Sequence, residues 1–333
     1  MRAYRLTGFG EDSRFEEFDK PDVEPGPNQV AIQVHATSVN PVDTKIRAGF
    51  AEIAPDPPVV LGCDVAGVVV AVGPGVRGLA VGDEVFGCAG GVKGHDGAYS
   101  ERMVADERLL ALKPKTLSFR EAAALPLVSI TAWEALVDRA QVAPGDRVLI
   151  HGGTGGVGHV GVQLARVRGA IVDTTVGSDA KAEIAKELGA DQAILYRQQT
   201  VDDYVASNTG GAGYDVVFDT VGGANLQSSI QALAINGRCA TTVSVDSQPD
   251  LTNLHVKNAS LHVVFMLIPM LTMRDFERHG EVMKRVATLV DRGRIRPLVD
   301  KMQFELSDLE AAHRHLLSGK AVGKVVVEVR HAG

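Results

Sequence analysis

Arg147-Val148-Leu149-Ile150, followed by His151-Gly152-Gly153-Thr154-Gly155-Gly156-Val157-Gly158, decides the fold. The first four residues read as a buried strand. Glycines 153, 155 and 158 then hold the spacing Gly-x-Gly-x-x-Gly. A helix is expected from Val157 to Arg168, with Val160, Leu164 and Val167 on its apolar side. In such a strand–turn–helix unit Gly153 permits the tight turn and Gly155 lets the backbone approach a pyrophosphate. Gly158 allows the helix to pack closely on the strand. The first-turn amides, those of Gly156 and Val157 included, point at the phosphates, and the helix dipole favours their charge. A glycine spacing alone is weak; here it sits in the required context and implies a bound dinucleotide.

Moving outward, apolar strand candidates are centred near Val148, Val172, Ile194, Val217, Cys239 and Val263. The intervals hold helices over Val157–Arg168, Asp179–Leu188, Val201–Ser207 and Asn225–Leu233. Strand and helix alternating this regularly predict a parallel, doubly wound sheet, and six strands complete a dinucleotide-binding fold. The first ~120 residues have another rhythm, with Val30–Val34, Val65–Val72 and Val81–Phe86 as strands broken by Gly and Pro, an antiparallel barrel or sandwich pattern. Later come an amphipathic helix over Phe276–Val290, a short helix at Leu306–Leu317 and a strand at Val325–Val329. That last strand has no βαβ partner, so it is assigned to the first domain. The expected division is 1–121 for a β-rich domain, 122–270 for the inserted nucleotide domain, and 271–333 for the return.

Bulk composition narrows the function. Apolar residues are 45% and charged residues 23% of the 333, enough for large cores. Net charge is −7 with no basic stripe, which argues against nucleic acid. The longest apolar run, Val263–Leu271, is far short of the ~20 residues a membrane helix needs. Charge at Arg2, Arg5 and Glu11 argues against a signal segment, and Cys63, Cys88 and Cys239 are scattered and free of CxxC pairing. A cytoplasmic protein is expected.

The end of the second strand, Ile171–Thr175, sets the cofactor. NAD sites place an acid there for the ribose 2′-hydroxyl. By register the slot holds neutral Thr175; Asp173 lies two positions earlier, and Asp179 reads as a helix cap. Gly177, Ser178 and Lys181 follow, with room and one cation for a 2′-phosphate. NADPH is therefore expected over NADH.

Blocks along nearly the whole chain carry a family resemblance: SVNPVDTKIRAG (Ser38–Gly49), VLGCDVAGVV (Val60–Val69), VGDEVFG (Val81–Gly87), GAYSE (Gly97–Glu101), LPLVSITAWEAL (Leu125–Leu136), GGTGGVGHVGVQLA (Gly152–Ala165), KELGAD (Lys186–Asp191), VVFDTVGG (Val216–Gly223) and GKVVVEV (Gly323–Val329). The chain resembles the medium-chain dehydrogenase/reductase superfamily and, within it, the zinc-independent, zeta-crystallin-like quinone oxidoreductases. The resemblance implies a six-stranded doubly wound (Rossmann) domain inserted into a GroES-like β-rich domain. It also implies NADPH-dependent reduction of quinones or α,β-unsaturated carbonyls by direct hydride transfer. It places Asn40 and Thr131 near the nicotinamide, where either could act on developing oxygen charge, and Gly177, Lys181 and Tyr196 near the adenosine end. Thr220-Val221, Val243-Ser244 and the segment with Phe265 and Leu267 would frame the nicotinamide ribose and carboxamide. Similar proteins dimerise through the edge around Leu261–Leu267, so a homodimer is expected. Lys45 departs from the family, which often has Tyr there.

Three rival readings are set beside this one. A zinc alcohol dehydrogenase would need ligands where Asn40, Gly62-Cys63-Asp64 and Leu127 stand, so no metal is expected. A non-catalytic NADPH-binding structural or RNA-binding protein remains an alternative. His313-x-His315 cannot share a helix face, His95 reads as an exposed loop residue, and no GxSxG elbow anchors a hydrolase.

Overall fold

The structure is a computed structural model and describes residues 1–245 and 247–329. The chain divides into two compact units: Met1–Leu127 with the described residues from Leu267 onward, and Val128–Met266.

The second unit is a six-stranded, wholly parallel sheet. Its order is Gln192–Leu195, Ile171–Val176, Arg147–His151, Tyr214–Asp219, Leu233–Thr241, Ser260–Val263. The chain starts in the middle, winds to one edge, returns and winds to the other, the arrangement of a Rossmann fold. Register pairs Val148 with Val172 on one side and with Val216 on the other, so β-branched residues with both faces covered fill the middle. Helices Gly156–Val167, Asp179–Glu187, Val201–Thr209 and Asn225–Ala232 supply the crossovers. Leu149, Ile194, Tyr204, Tyr214, Val217, Leu226, Ile230 and Leu233 form one buried cluster. Each such side chain stabilises the fold by about 1.5–3 kcal/mol on burial.

The first unit is built on a seven-stranded sheet. Gln29–Val39 is its longest strand and pairs antiparallel with Asp64–Val72, Arg102–Asp106 and Val325–Glu328. The late strand thus lies in the first unit's sheet. Gly67 allows the first of these pairings: a Cβ there would lie 2.1 Å from the Gln33 carbonyl oxygen. Helix Glu277–Asp291 belongs to the same unit and buries Val282, Val286 and Val290, the stripe expected from its periodicity.

Three details differ from the expected elements. Val81–Asp83 form a turn, and the strand begins at Glu84, because the Asp83 carboxylate accepts from the Ala80 amide and closes the turn. Leu306–Asp308 is a 3-10 turn before helix Leu309–Leu317. Leu233 opens a strand directly, with no loop after its helix.

Candidate active site

The glycine-rich turn lies where the first strand of the parallel sheet meets its helix. The left-handed residue is Gly152, at φ +73, so Gly152 makes the tight turn assigned above to Gly153. Gly153 has a packing role instead: a Cβ there would meet the Thr174 hydroxyl at 2.1 Å, and that hydroxyl donates to the Ile150 carbonyl at 2.6 Å. A Cβ on Gly158 would lie 2.1 Å from the Gly152 carbonyl oxygen. Gly155 is the helix N-cap, with no side-chain cap and no acidic residue in the first turn. The amides of Gly156, Val157 and Gly158 are thus first-turn donors without helical acceptors, suited to an anion.

Beside the turn, the C-terminal ends of neighbouring strands converge. The Thr220 hydroxyl donates to the His151 carbonyl at 2.7 Å, and Gly222 packs on Val243. Asp219 is buried and accepts from the amides of Val221 and Gly222, both at 2.9 Å, which orders that loop. His151 is buried as well; burial pushes its pKa down to about 4, against the opposing pull of Asp219.

The strand bearing Thr175 ends one residue later than expected, at Val176. Thr175 is buried with its hydroxyl 3.2 Å from both His151 Nδ1 and the Gly152 amide, so it supports the turn. Asp173 is tied to the Tyr214 hydroxyl at 2.7 Å and is only 3% exposed. The rim after the strand is Gly177, Ser178, Lys181 and Tyr196. Ser178 caps the next helix by accepting from the Lys181 amide, and the half-exposed Tyr196 ring lies against Gly177. The Arg197 guanidinium stands over that ring at 5.5 Å, a cation not singled out from the sequence. Thr131 is buried in helix Pro126–Trp133, and Phe265 is exposed beyond the last strand of the sheet.

In the first unit, Asn40 is fully buried and caps helix Pro41–Ala48, its amide donating to Asp43 at 2.8 Å. Its side chain meets two charged groups: Nδ2 donates to Asp64 at 2.8 Å, and Oδ1 accepts from the Lys324 ammonium. Asp64 further accepts from the Ser38 hydroxyl at 2.5 Å, the Leu127 amide at 2.8 Å and Lys324 at 3.3 Å. Burial pushes the Asp43 carboxyl up to about 7, although the amides of Asn40 and Gly62 favour its charge. Cys63, just before the strand Asp64–Val72, lies beside Cys88 on the paired strand rather than apart from it; a hydrogen bond to Cys88 and burial push the Cys63 thiol up. Leu267 is buried in this unit, and Lys45 is exposed on helix Pro41–Ala48. His95 is half-buried, 3.1 Å from the Met270 carbonyl and edge-on to Phe276, rather than an exposed loop residue. His313 and His315 diverge, toward Tyr99 and Asp300.

An open Rossmann turn beside a loop-framed strand end, joined to a GroES-like sheet, defines a nucleotide-binding oxidoreductase. Residues 26–115 match the alcohol dehydrogenase GroES-like domain and residues 188–327 the zinc-binding dehydrogenase domain. The NADPH-dependent alkenal/one oxidoreductase of Arabidopsis thaliana is 34% identical over 90% of this chain and 72% of its own length. The quinone oxidoreductase of Rattus norvegicus is 30% identical over 98% of this chain and 97% of its own. An alcohol dehydrogenase superfamily protein from Novosphingobium aromaticivorans superposes with a TM-score of 0.94 at 38% identity, covering 99% of this chain and 100% of that one. The protein belongs to the medium-chain dehydrogenase/reductase superfamily and, within it, to the quinone-oxidoreductase-like branch.

The zinc in the second domain's description does not fit these residues. Asn40 has its carbonyl on an ammonium and its amide on a carboxylate, the Cys63 thiol is held against ionisation, and Lys324 brings a cation to Asp64. Zinc needs deprotonated thiolate, neutral imidazole or free carboxylate donors. Among the described residues no cluster of three His, Cys, Asp or Glu could hold a metal ion, and no helix is long and apolar enough to cross a membrane.

Proposed function

We propose that the protein reduces quinones or α,β-unsaturated carbonyls with NADPH, by direct hydride transfer and without a metal. The observation that carries the cofactor choice is the rim after Val176. It has no acid on the slot, and Ser178, Lys181 and Tyr196 lie beside a glycine at 177. The slot offers a ribose 2′-hydroxyl no carboxylate, Asp179 standing later at the start of the next helix, whereas a 2′-phosphate would meet a cation and hydroxyl donors. The first-turn amides of Gly156, Val157 and Gly158 would hold the pyrophosphate. Thr220, Val221, Val243, Ser244, Phe265 and Leu267 would frame the nicotinamide ribose and carboxamide.

NADPH, when bound, supplies the hydride. The chain's own part is to orient and to stabilise charge. In this reading Asn40 and Thr131 lie beside the nicotinamide, where an amide N–H or a hydroxyl donates to the oxygen on which negative charge develops. Substrates that are already electrophilic need no Lewis acid, which accords with the poor fit for zinc.

Lys181→Ala is expected to weaken NADPH binding about tenfold and leave NADH binding within twofold, measured by nicotinamide fluorescence titration; a charge-assisted contact of 1.5–3 kcal/mol sets that scale. Equal affinity of the wild type for both cofactors would sink the NADPH assignment. The activity itself is tested by following nicotinamide absorbance with a panel of quinones, enals and enones. NADPH binding without any turnover would favour the non-catalytic reading.

We also propose a homodimer formed through the strand Ser260–Val263. It stands at the edge of the parallel sheet with Val263 half-exposed, and a bare edge invites pairing. Light scattering should give twice the chain mass; a monomer overturns this. With Cys63, Cys88 and Cys239 all free thiols, the reducing cytoplasm is the proposed location.

A further inference from the structure

We propose that Lys324 is the positioning residue for Asn40: with Asp64, it clamps the Asn40 carboxamide in one orientation. The inference rests on Asn40 acting at the nicotinamide, as proposed above. Three observations carry it.

The first is chemical. A carboxamide has two faces that differ only in whether they donate or accept. Here one end meets an ammonium, which can only donate, and the other a carboxylate, which can only accept. The flipped amide would set its NH2 group against an ammonium and its carbonyl against a carboxylate. Only one rotamer is tolerated, and it leaves a single Nδ2 hydrogen for any further acceptor.

The second is burial. Lys324 is 3% exposed, and Asp64 and Asn40 are fully buried. A buried ion pair is weak evidence for stability, because apolar replacements are often neutral or better. A lysine carried into a dry site against that balance is better explained by what it orients. Its remaining contact, to the Val39 carbonyl at 3.3 Å, anchors it to the residue next to Asn40.

The third is the backbone that delivers it. Gly323 has φ +75, and a Cβ there would lie 2.0 Å from the Leu298 carbonyl oxygen. The Lys324 amide donates to that same carbonyl at 2.8 Å, and its own carbonyl accepts from the Asp300 amide at 2.9 Å. Val325 then pairs with Val39. Lys324 is held on both sides at the point where its strand passes the start of the Asn40 helix.

The test compares wild type with Lys324→Met and with the double variant Lys324→Met/Asp64→Asn. The single variant leaves a buried carboxylate without its cation and can fail to fold; the double variant removes both charges and keeps the volume. The expected result for a folded double variant is a kcat at least tenfold lower, with NADPH Kd and substrate KM within twofold of wild type. A second readout needs no turnover. In protein labelled with 15N-asparagine, the Asn40 side-chain amide signals, assigned by their loss in Asn40→Ala, should be slow to exchange with solvent in wild type. In the double variant that protection should fall at least tenfold. Wild-type kcat together with retained protection in the double variant overturns the proposal. If wild type reduces no quinone, enal or enone, the functional reading fails on its own, and the amide protection alone decides whether Lys324 positions Asn40. A fall in kcat with protection retained assigns the pair another role and also overturns the proposal.

Discussion

Gly158→Ala is expected to lower dinucleotide affinity at least a hundredfold while the protein stays folded. A Cβ at 158 would lie 2.1 Å from the Gly152 carbonyl oxygen, 2.7 Å from its carbon and 3.0 Å from the Gly153 Cα. All three are backbone atoms, so no side chain can swing aside. The helix must back away from the turn, and the first-turn amides move with it. Each hydrogen bond to a charged group contributes about 1.5–3 kcal/mol, so two lost contacts exceed the 2.8 kcal/mol that corresponds to a hundredfold. Gly8→Ala is the control, because nothing lies within 4 Å of a Cβ there. Calorimetric titration with NADPH measures the effect, and thermal unfolding shows whether the fold survives. Binding within threefold of wild type would mean that the turn does not hold the phosphates.

His313→Gln should gain about 2 kcal/mol of stability relative to wild type as pH falls from 7 to 5. His313 is 1% exposed, its Nε2 is 3.0 Å from the Tyr99 hydroxyl, and its ring packs on Phe15 at 4.8 Å. Burial first, then Arg47, pushes its pKa down from 6.5 to about 3. The unfolded chain therefore takes up a proton near pH 6.5, whereas the folded chain resists until about pH 3. The stability that the neutral ring contributes is lost as pH falls through that window, at about 1.4 kcal/mol per unit. Glutamine can still partner Tyr99 and does not titrate. The whole-protein profile is a poorer guide, because Asp43 runs the other way. Its pKa is raised to about 7, so the folded chain binds that proton first and gains stability as pH falls toward 3.8. Urea unfolding of the pair at pH 7 and pH 5 isolates His313; identical pH dependence would show that its ring is not held neutral.

Much of the nucleotide unit was legible because its determinants are local. Six strands appear at the expected places, since the central ones are short apolar runs and helix Gly156–Val167 carries its own apolar stripe. The glycine spacing sits in its strand–turn–helix setting, although the left-handed residue is Gly152, which lies outside the three spaced glycines. One local signal has no counterpart in the expected elements, and a second was placed in a turn but with its strand begun too early. Asn40-Pro41 with Asp43 is a capping box with proline at the first helical turn, and it marks helix Pro41–Ala48. The Asp83 turn delays its strand to Glu84 for a similarly local reason. Other features have no local trace. The partners Asp64 and Lys324 are 260 residues apart, and Tyr99 meets His313 across 214. Cys63 and Cys88 look unrelated until strand pairing sets them side by side. Nothing within a few residues of Cys63, Asp64 or Lys324 announces these encounters, which only the sheet of the first unit creates.

The strand Val325–Glu328 has a consequence for the order in which the molecule is made. Asn40 emerges from the ribosome early and Lys324 284 residues later, after every strand of the nucleotide sheet. The parallel sheet can therefore form, and its glycine turn can become competent for a dinucleotide, while the Asn40 carboxamide still lacks its ammonium. A nascent chain halted before Gly323 would hold a finished nucleotide sheet and an Asn40 carboxamide without its ammonium. The nucleotide sheet would precede the Asn40–Lys324 contact, with the last strand as the closing step.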